Sequence, residues 1–278
     1  FLVTAAMTVS APLMAWALEH DIVILHTNDI HCGINDNIGF AGLAQIKKDA
    51  LARTPNVALV DAGDAIQGAP IGKLSRGLAV VDIMNYLGYD FCIPGNHEFD
   101  YGMDRFLELV PLQRAGYYCA NFVYAGNNKQ VLPGYKIMQY EDTKVAFVGA
   151  STPESLTTST PTFFQNEKGK YIYSFCEDKT GNKLYKQLQK NVDKARKDGA
   201  DYVFIVGHLG MDGTTPQWSS ESVAKNTQGV DAVIDGRSHE RFTRMVKNKV
   251  GKDVLLAQTG TKLKTVGELV ITPNGKLK

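Results

Sequence analysis

The stretch "FCIPGNHEFDYG" runs from Phe91 to Gly102. Its first residues are apolar, Pro94-Gly95 then breaks the run, and Asn96, His97, Glu98 and Asp100 follow within one short polar segment. A buried strand that stops at a Pro-Gly break and releases a polar loop is the layout of α/β sheets, where loops beyond the carboxyl ends of strands form the ligand crevice. The same layout recurs on either side. "ILHTNDIH" (Ile24–His31), "DAGD" (Asp61–Asp64), "VGHLG" (Val206–Gly210) and "DGRSHE" (Asp235–Glu240) each close an apolar run with polar residues.

Helical spacing fills the intervals. In "FAGLAQIKKDALAR", Leu43, Ile46, Ala50 and Leu51 fall near one helical face. "LAVVDIMNYLG" predicts a helix closed by Gly88, and "MDRFLELVPLQRAG" a further helix, followed by a short strand in "YYCANFV". From about residue 131 the texture changes. "YKIMQYEDTKVAFVGAST" predicts an antiparallel hairpin turning at Glu141-Asp142-Thr143. "NKLYKQLQKNVDKARKDG" predicts an amphipathic helix with Leu184, Leu188, Val192 and Ala195 inward. "DYVFIVGHLG" and "DAVIDGRSH" read as strands ending in polar loops, and "DVLLAQTGTKLKTVGELVITPNGKLK" as strands with Pro273-Asn274-Gly275 as a turn. The first part is thus β-α-β-α and mostly parallel, and the last part is richer in hairpins. There is no linker, repeat or low-complexity tract, so one domain is expected over residues 18–278.

Composition narrows the class. With 278 residues, 44% hydrophobic and 21% charged, the chain can bury a large core. A net charge of +1 offers no field to gather nucleic-acid polymer. From Arg237 onward ten Lys/Arg face three Asp/Glu, read as a solvated basic face. Cys32, Cys92, Cys119 and Cys176 show no zinc-finger or C-x-x-C spacing, and Cys92 and Cys119 read as buried small hydrophobes. "FLVTAAMTVSAPLMAWA" (1–17) carries no charge and ends in an A-x-A pattern. It is expected to be the remnant of an export signal, placing the mature chain in a periplasm, on a cell surface or outside the cell, with no membrane span.

Chemically, the loops gather Asp29, His31, Asp64, Asn96, His208 and His239, a mixture of carboxylate, amide and imidazole. Such donors suit Zn²⁺, Mn²⁺ or similar ions. The set is too large for one tetrahedral zinc, so two ions sharing a carboxylate is the natural arrangement, about 3.5–4 Å apart and able to clamp a phosphoryl transfer. His97 and Asp100 read as a general acid and its orienter. His26 inside the first strand reads as a core histidine, His20 as a surface one, and Trp218 as a structural aromatic on an exposed loop. Glu98 stands beside the ligands without an evident role.

"HTNDIH", "DAGD", "GNHEFDYG", "VGHLG" and "DGRSHE", in that order, resemble the calcineurin-like metallophosphoesterases and, more narrowly, the catalytic domain of the 5'-nucleotidase family, over about residues 21–272. The resemblance implies an α/β/β/α sandwich of four layers: two mixed sheets face to face, with helices outside. It implies a dimetal phosphoesterase acting in nucleotide catabolism, in which metal-bound hydroxide attacks phosphorus in 5'-nucleotides or 2',3'-cyclic nucleotides. Asp29, His31 and His239 look like ligands of the first ion, Asp64 like the bridging carboxylate, and Asn96 and His208 like ligands of the second, with Asn96 also near the phosphoryl group. His97 resembles the catalytic histidine and Asp100 its partner.

Two departures stand out. Where the family pattern has a histidine ligand for the second ion, this chain has Arg237. Arginine has no acceptor and cannot be deprotonated. It repels a nearby unit charge by ~4 kcal/mol at about 4 Å in an effective dielectric of about 20, and a dication about twice as much. A weakened second ion, an Arg237 turned away from the site, and an Arg237 that binds the substrate phosphate are all compatible with the pattern. The family's C-terminal substrate-specificity domain is also expected to be absent from this chain. The competing expectation is an exported domain that binds metal and nucleotide with weak or no turnover.

Overall fold

Each apolar run closed by a polar loop becomes a strand whose carboxyl end points to one end of the molecule. A computed structural model describes residues 18–211 and 214–278, and the expected signal remnant at 1–17 lies outside the described residues. The strands are β1 (Ile22–Thr27), β2 (Val57–Asp61), β3 (Phe91–Cys92), β4 (Val123–Tyr124), β5 (Tyr135–Tyr140), β6 (Thr143–Ser151), β7 (Tyr173–Ser174), β8 (Tyr202–His208), β9 (Ala232–Ile234), β10 (Arg241–Lys247), β11 (Asp253–Thr259) and β12 (Gly267–Ile271). The helices are α1 (Gly39–Arg53), α2 (Pro70–Ser75), α3 (Leu78–Leu87), α4 (Met103–Leu109), α5 (Ser155–Thr158), α6 (Asn182–Lys197) and α7 (Ser220–Asn226).

One sheet has the order β12-β1-β2-β3 and the other β10-β11-β9-β8-β6-β5, with β4 and β7 forming a separate ribbon. Both are mixed. β1, β2 and β3 are parallel and β12 is antiparallel to β1. β6, β8, β9 and β11 are parallel, flanked by antiparallel β5 and β10. Pleating assigns the side chains: on β1, Ile22 and Ile24 enter the core between the sheets, while Val23 and Leu25 face the helices. Ala58, Val60, Phe91, Val145, Phe147, Phe204, Val206, Ala232 and Ile234 join them in the inter-sheet core. α1, α3 and α4 cover the first sheet, and α6 and α7 cover the second. This is the expected four-layer α/β/β/α sandwich.

Several local expectations shift. Leu51 lies outside the buried stripe of α1 and is 50% exposed, whereas Phe40, Leu43 and Ala50 are buried. The helix expected from Met103 to about Gly116 ends at Leu109 and continues only as a 3-10 turn, Val110–Leu112. Pro111 supplies the reason, because it has no N–H to continue the i→i−4 ladder, although Val110 before it still keeps α-region angles. The strand expected over "YYCANFV" reduces to an isolated bridge at Tyr117 and the short β4. α3 ends as expected, on Gly88 in the left-handed region.

Candidate metal centre

Five loops meet at the carboxyl ends of the strands, three from the first sheet and two from the second. The loops after β2 and β3 approach so closely that only glycines fit. A Cβ on Gly63 would stand 2.6 Å from Gly95 N, and one on Gly95 would stand 2.2 Å from Asp64 Oδ1. Asp29, His31, Asp64, Arg237 and His239 all have positive φ, between 48° and 84°. Positive φ is costly for residues other than glycine, and here it gathers in the loops that carry the polar side chains.

Asp29 Oδ2 accepts from Asn28 Nδ2 at 2.6 Å and from Arg237 N at 2.9 Å. Its other oxygen, Oδ1, is buried without a hydrogen-bond partner. That oxygen lies 3.2 Å from His239 Nε2, 3.8 Å from His31 Nε2 and 3.9 Å from His208 Nε2. Asp64 Oδ2 stands 3.0 Å from His208 Nε2 and 4.0 Å from His31 Nε2. His31 and His208 each have Nδ1 against a backbone carbonyl, Gln67 O at 3.1 Å and Ala62 O at 2.7 Å, which directs Nε2 inward. His31 Nε2 and His239 Nε2 are only 3.1 Å apart. A proton on His239 Nε2, or a cation shared by the two nitrogens, satisfies this spacing. Burial opposes charge on His208, yet Asp64 and Asp29 raise its pKa to about 10. A cation taking the place of that proton fits the donor set. Two overlapping groups, Asp29-His31-His239 and Asp29-Asp64-His208, could hold one.

His97 sits at the rim, its Nδ1 2.6 Å from Asp100 Oδ2, with Ser159 Oγ donating to Asp100 Oδ1 at 3.1 Å. The Asp100 bond raises the pKa of His97, against burial. His97 N donates to Asp64 Oδ1 at 2.8 Å, so the rim and the donor cluster share a carboxylate. Arg237 is turned into the site. It donates from Nη1 to Asn96 Oδ1 at 2.5 Å and from Nη2 to Glu154 Oε2. Asp64, Asn96, His97, Thr158, Thr214, Arg237, Ser238 and His239 line a cavity of about 430 Å³.

Two carboxylates that the sequence left without a role hold the loops in place. Glu98 is buried and accepts from Gly95 N (2.6 Å), Asp64 N (2.8 Å), Ala65 N (2.8 Å) and Ile66 N (3.3 Å). Burial pushes its pKa up to about 7. Asp235 accepts from Leu209 N at 2.9 Å and Gly210 N at 3.1 Å, fixing the turn after His208, and burial raises it to about 6. The signal in the sequence was position alone: each lies in one of the polar loops.

Elsewhere, His26 is buried as expected, but its Nδ1 has no partner. His20 is exposed and bonds Glu141 at 2.9 Å. Trp218 is partly buried against the core outside the second sheet. All four cysteines are free thiols, with Cys92 and Cys119 fully buried. No helix among the described residues is long and apolar enough to cross a membrane.

Residues 22–241 match the family described as calcineurin-like phosphoesterase. A snake venom 5'-nucleotidase of Gloydius brevicauda is 28% identical over 257 residues, covering 86% of this chain and 40% of the relative. A 2',3'-cyclic-nucleotide 2'-phosphodiesterase/3'-nucleotidase of Haemophilus influenzae is 26% identical over 272 residues, with the same coverage. Among solved structures, a 5'-nucleotidase precursor from Thermus thermophilus superposes with a TM-score of 0.76 at 25% identity, over 93% of this chain and 53% of that one. The chain therefore spans about 40% of the length of the curated relatives it matches.

Proposed function

Because the chain belongs to the calcineurin-like phosphoesterase family, we propose that it hydrolyses phosphoric esters of nucleotides, 5'-nucleotides or 2',3'-cyclic nucleotides, with the help of divalent metal. The observation that carries this reading is the convergence of Asp29, His31, Asp64, His208 and His239 beside the His97–Asp100 pair. Those five side chains would hold the ion. A divalent ion, when bound, polarises phosphoryl oxygens and lowers the pKa of an attacking water toward neutrality.

The chain's own residues do the rest. Asp100 fixes the His97 ring through Nδ1 and favours its protonated form, which leaves Nε2 to deliver a proton to the departing oxygen. Ser159 in turn holds Asp100. Glu98 locks the Asp64 and Asn96 loops together, so the donors and the rim histidine keep one geometry. Export belongs to the same proposal, resting on the uncharged residues 1–17 and their A-x-A ending.

The second reading is a binding domain with weak or no turnover. It is favoured by Arg237 Nη1 holding the Asn96 amide oxygen. Release of phosphate from AMP and p-nitrophenyl phosphate, and of the monoester product from 2',3'-cyclic AMP and bis-p-nitrophenyl phosphate, measured with Mn²⁺ or Zn²⁺ and with chelator, separates the two. Metal-dependent turnover of any of these that His97→Ala lowers supports the hydrolase. Metal binding without turnover of all four supports the binding domain.

A further inference from the structure

At the position where the resemblance places a histidine ligand of the second ion, the chain builds a partly buried ion pair. Arg237 and Glu154 are 13% and 14% exposed. The guanidinium spans two partners, Asn96 Oδ1 and Glu154 Oε2. Glu154 is itself fixed, because its Oε1 accepts from Thr215 N at 2.7 Å and Thr215 Oγ1 at 2.5 Å. Burial opposes charge on Glu154, but Thr215 and Arg237 hold its pKa below the usual value, which favours the carboxylate. An arginine that merely displaced a ligand could extend its head to water. This one is kept inward by a carboxylate from the loop after β6, at the cost of desolvating both charges.

We propose that the Arg237–Glu154 pair fills the second cation's position, so that this chain holds one divalent ion and a fixed guanidinium in place of two ions. The inference rests on the reading of the centre as a metal-assisted phosphoesterase. Two facts converge on it. The amide oxygen of Asn96, expected as a second-ion ligand, is already an acceptor for Arg237. The guanidinium also lines the 430 Å³ cavity with His97 and His239, where a permanent cation would face a phosphoryl oxygen.

The test measures Mn²⁺ stoichiometry by equilibrium dialysis, and spin coupling by electron paramagnetic resonance, on three chains. These are the unmodified chain, Arg237→His, and Arg237→His combined with Glu154→Gln. The double variant avoids a buried, unpaired Glu154 should the single one fold poorly. The unmodified chain is expected to bind one Mn²⁺ with the spectrum of an isolated ion. The variants are expected to bind a second at least tenfold more tightly than the unmodified chain does, with a spectrum of two coupled ions. Two coupled ions in the unmodified chain would overturn the proposal and leave the hydrolase reading standing. Folded variants that still take one ion would also overturn it. No bound ion in any chain would remove the metal-assisted reading itself.

Discussion

Glu98 shows what a single residue contributes when its neighbours are backbone N–H groups. It accepts from four of them across two loops. Glu98→Gln keeps the shape but turns an NH₂ group toward donors, so a loss of about 2–4 kcal/mol is expected in urea unfolding. An unchanged midpoint would contradict this role. His97→Ala should lower kcat by roughly 10²–10⁴-fold while Mn²⁺ binding persists, since His97 offers its ring to Asp100 and not to the donor cluster. Retained kcat would remove His97 from the proton-transfer role. These two residues also mark how far the sequence could be read. The donors and His97 stand in polar loops whose composition announces them. Glu98 was visible beside them but not what its carboxylate faced. Glu154 carried no local signal, because its partner Arg237 lies 83 positions away and only the packing of the second sheet brings the two together.

Elements with a strong period were the most legible. α6 buries Leu184, Leu188, Val192 and Ala195, the four residues its spacing selected, and the β5–β6 hairpin turns where expected. Leu188→Ala should therefore cost about 2–5 kcal/mol by thermal or urea unfolding, through lost burial and a residual cavity. Elements ruled by tertiary demands were less legible. β3 pairs over only two residues, since Pro94 cannot donate to a ladder and the chain must leave to form the Asn96 loop. β10, with Arg241, Arg244 and Lys247 along it, is an edge strand whose charges resemble a loop in sequence and discourage further pairing. Gly95→Ala tests the loop contact between two elements. Its Cβ would overlap Asp64 Oδ1, so metal affinity should fall more than tenfold while the far-ultraviolet dichroism of the sandwich is kept. A glycine-to-alanine change that left metal affinity intact would show that the loops have room to spare.

At the scale of the whole molecule, His26 links folding to pH. It is enclosed in the sandwich, and burial lowers its pKa from 6.5 to about 4. The unfolded chain takes up a proton below about pH 6.5 that the folded chain refuses until about pH 4. Stability from this group is therefore intact above the higher value, falls by about 3 kcal/mol across the window and then levels off. Unfolding free energy measured from pH 7 to pH 4 should show this slope, and His26→Gln should flatten it. A slope of equal size in the variant would assign the acid sensitivity elsewhere. The donors carry a different consequence. Asp29, His31 and Asp64 hang from the sheet of β1 and β2, whereas His208 and His239 hang from the sheet of β8 and β9. An ion gripped by both groups is a rivet through the sandwich. At a hundred times its Kd it would add about 2.7 kcal/mol to folding. Chelation should then speed amide hydrogen exchange where β1, β2 and β8 approach the centre while α6 keeps its protection, because drawing the rivet lets one sheet slip over the other.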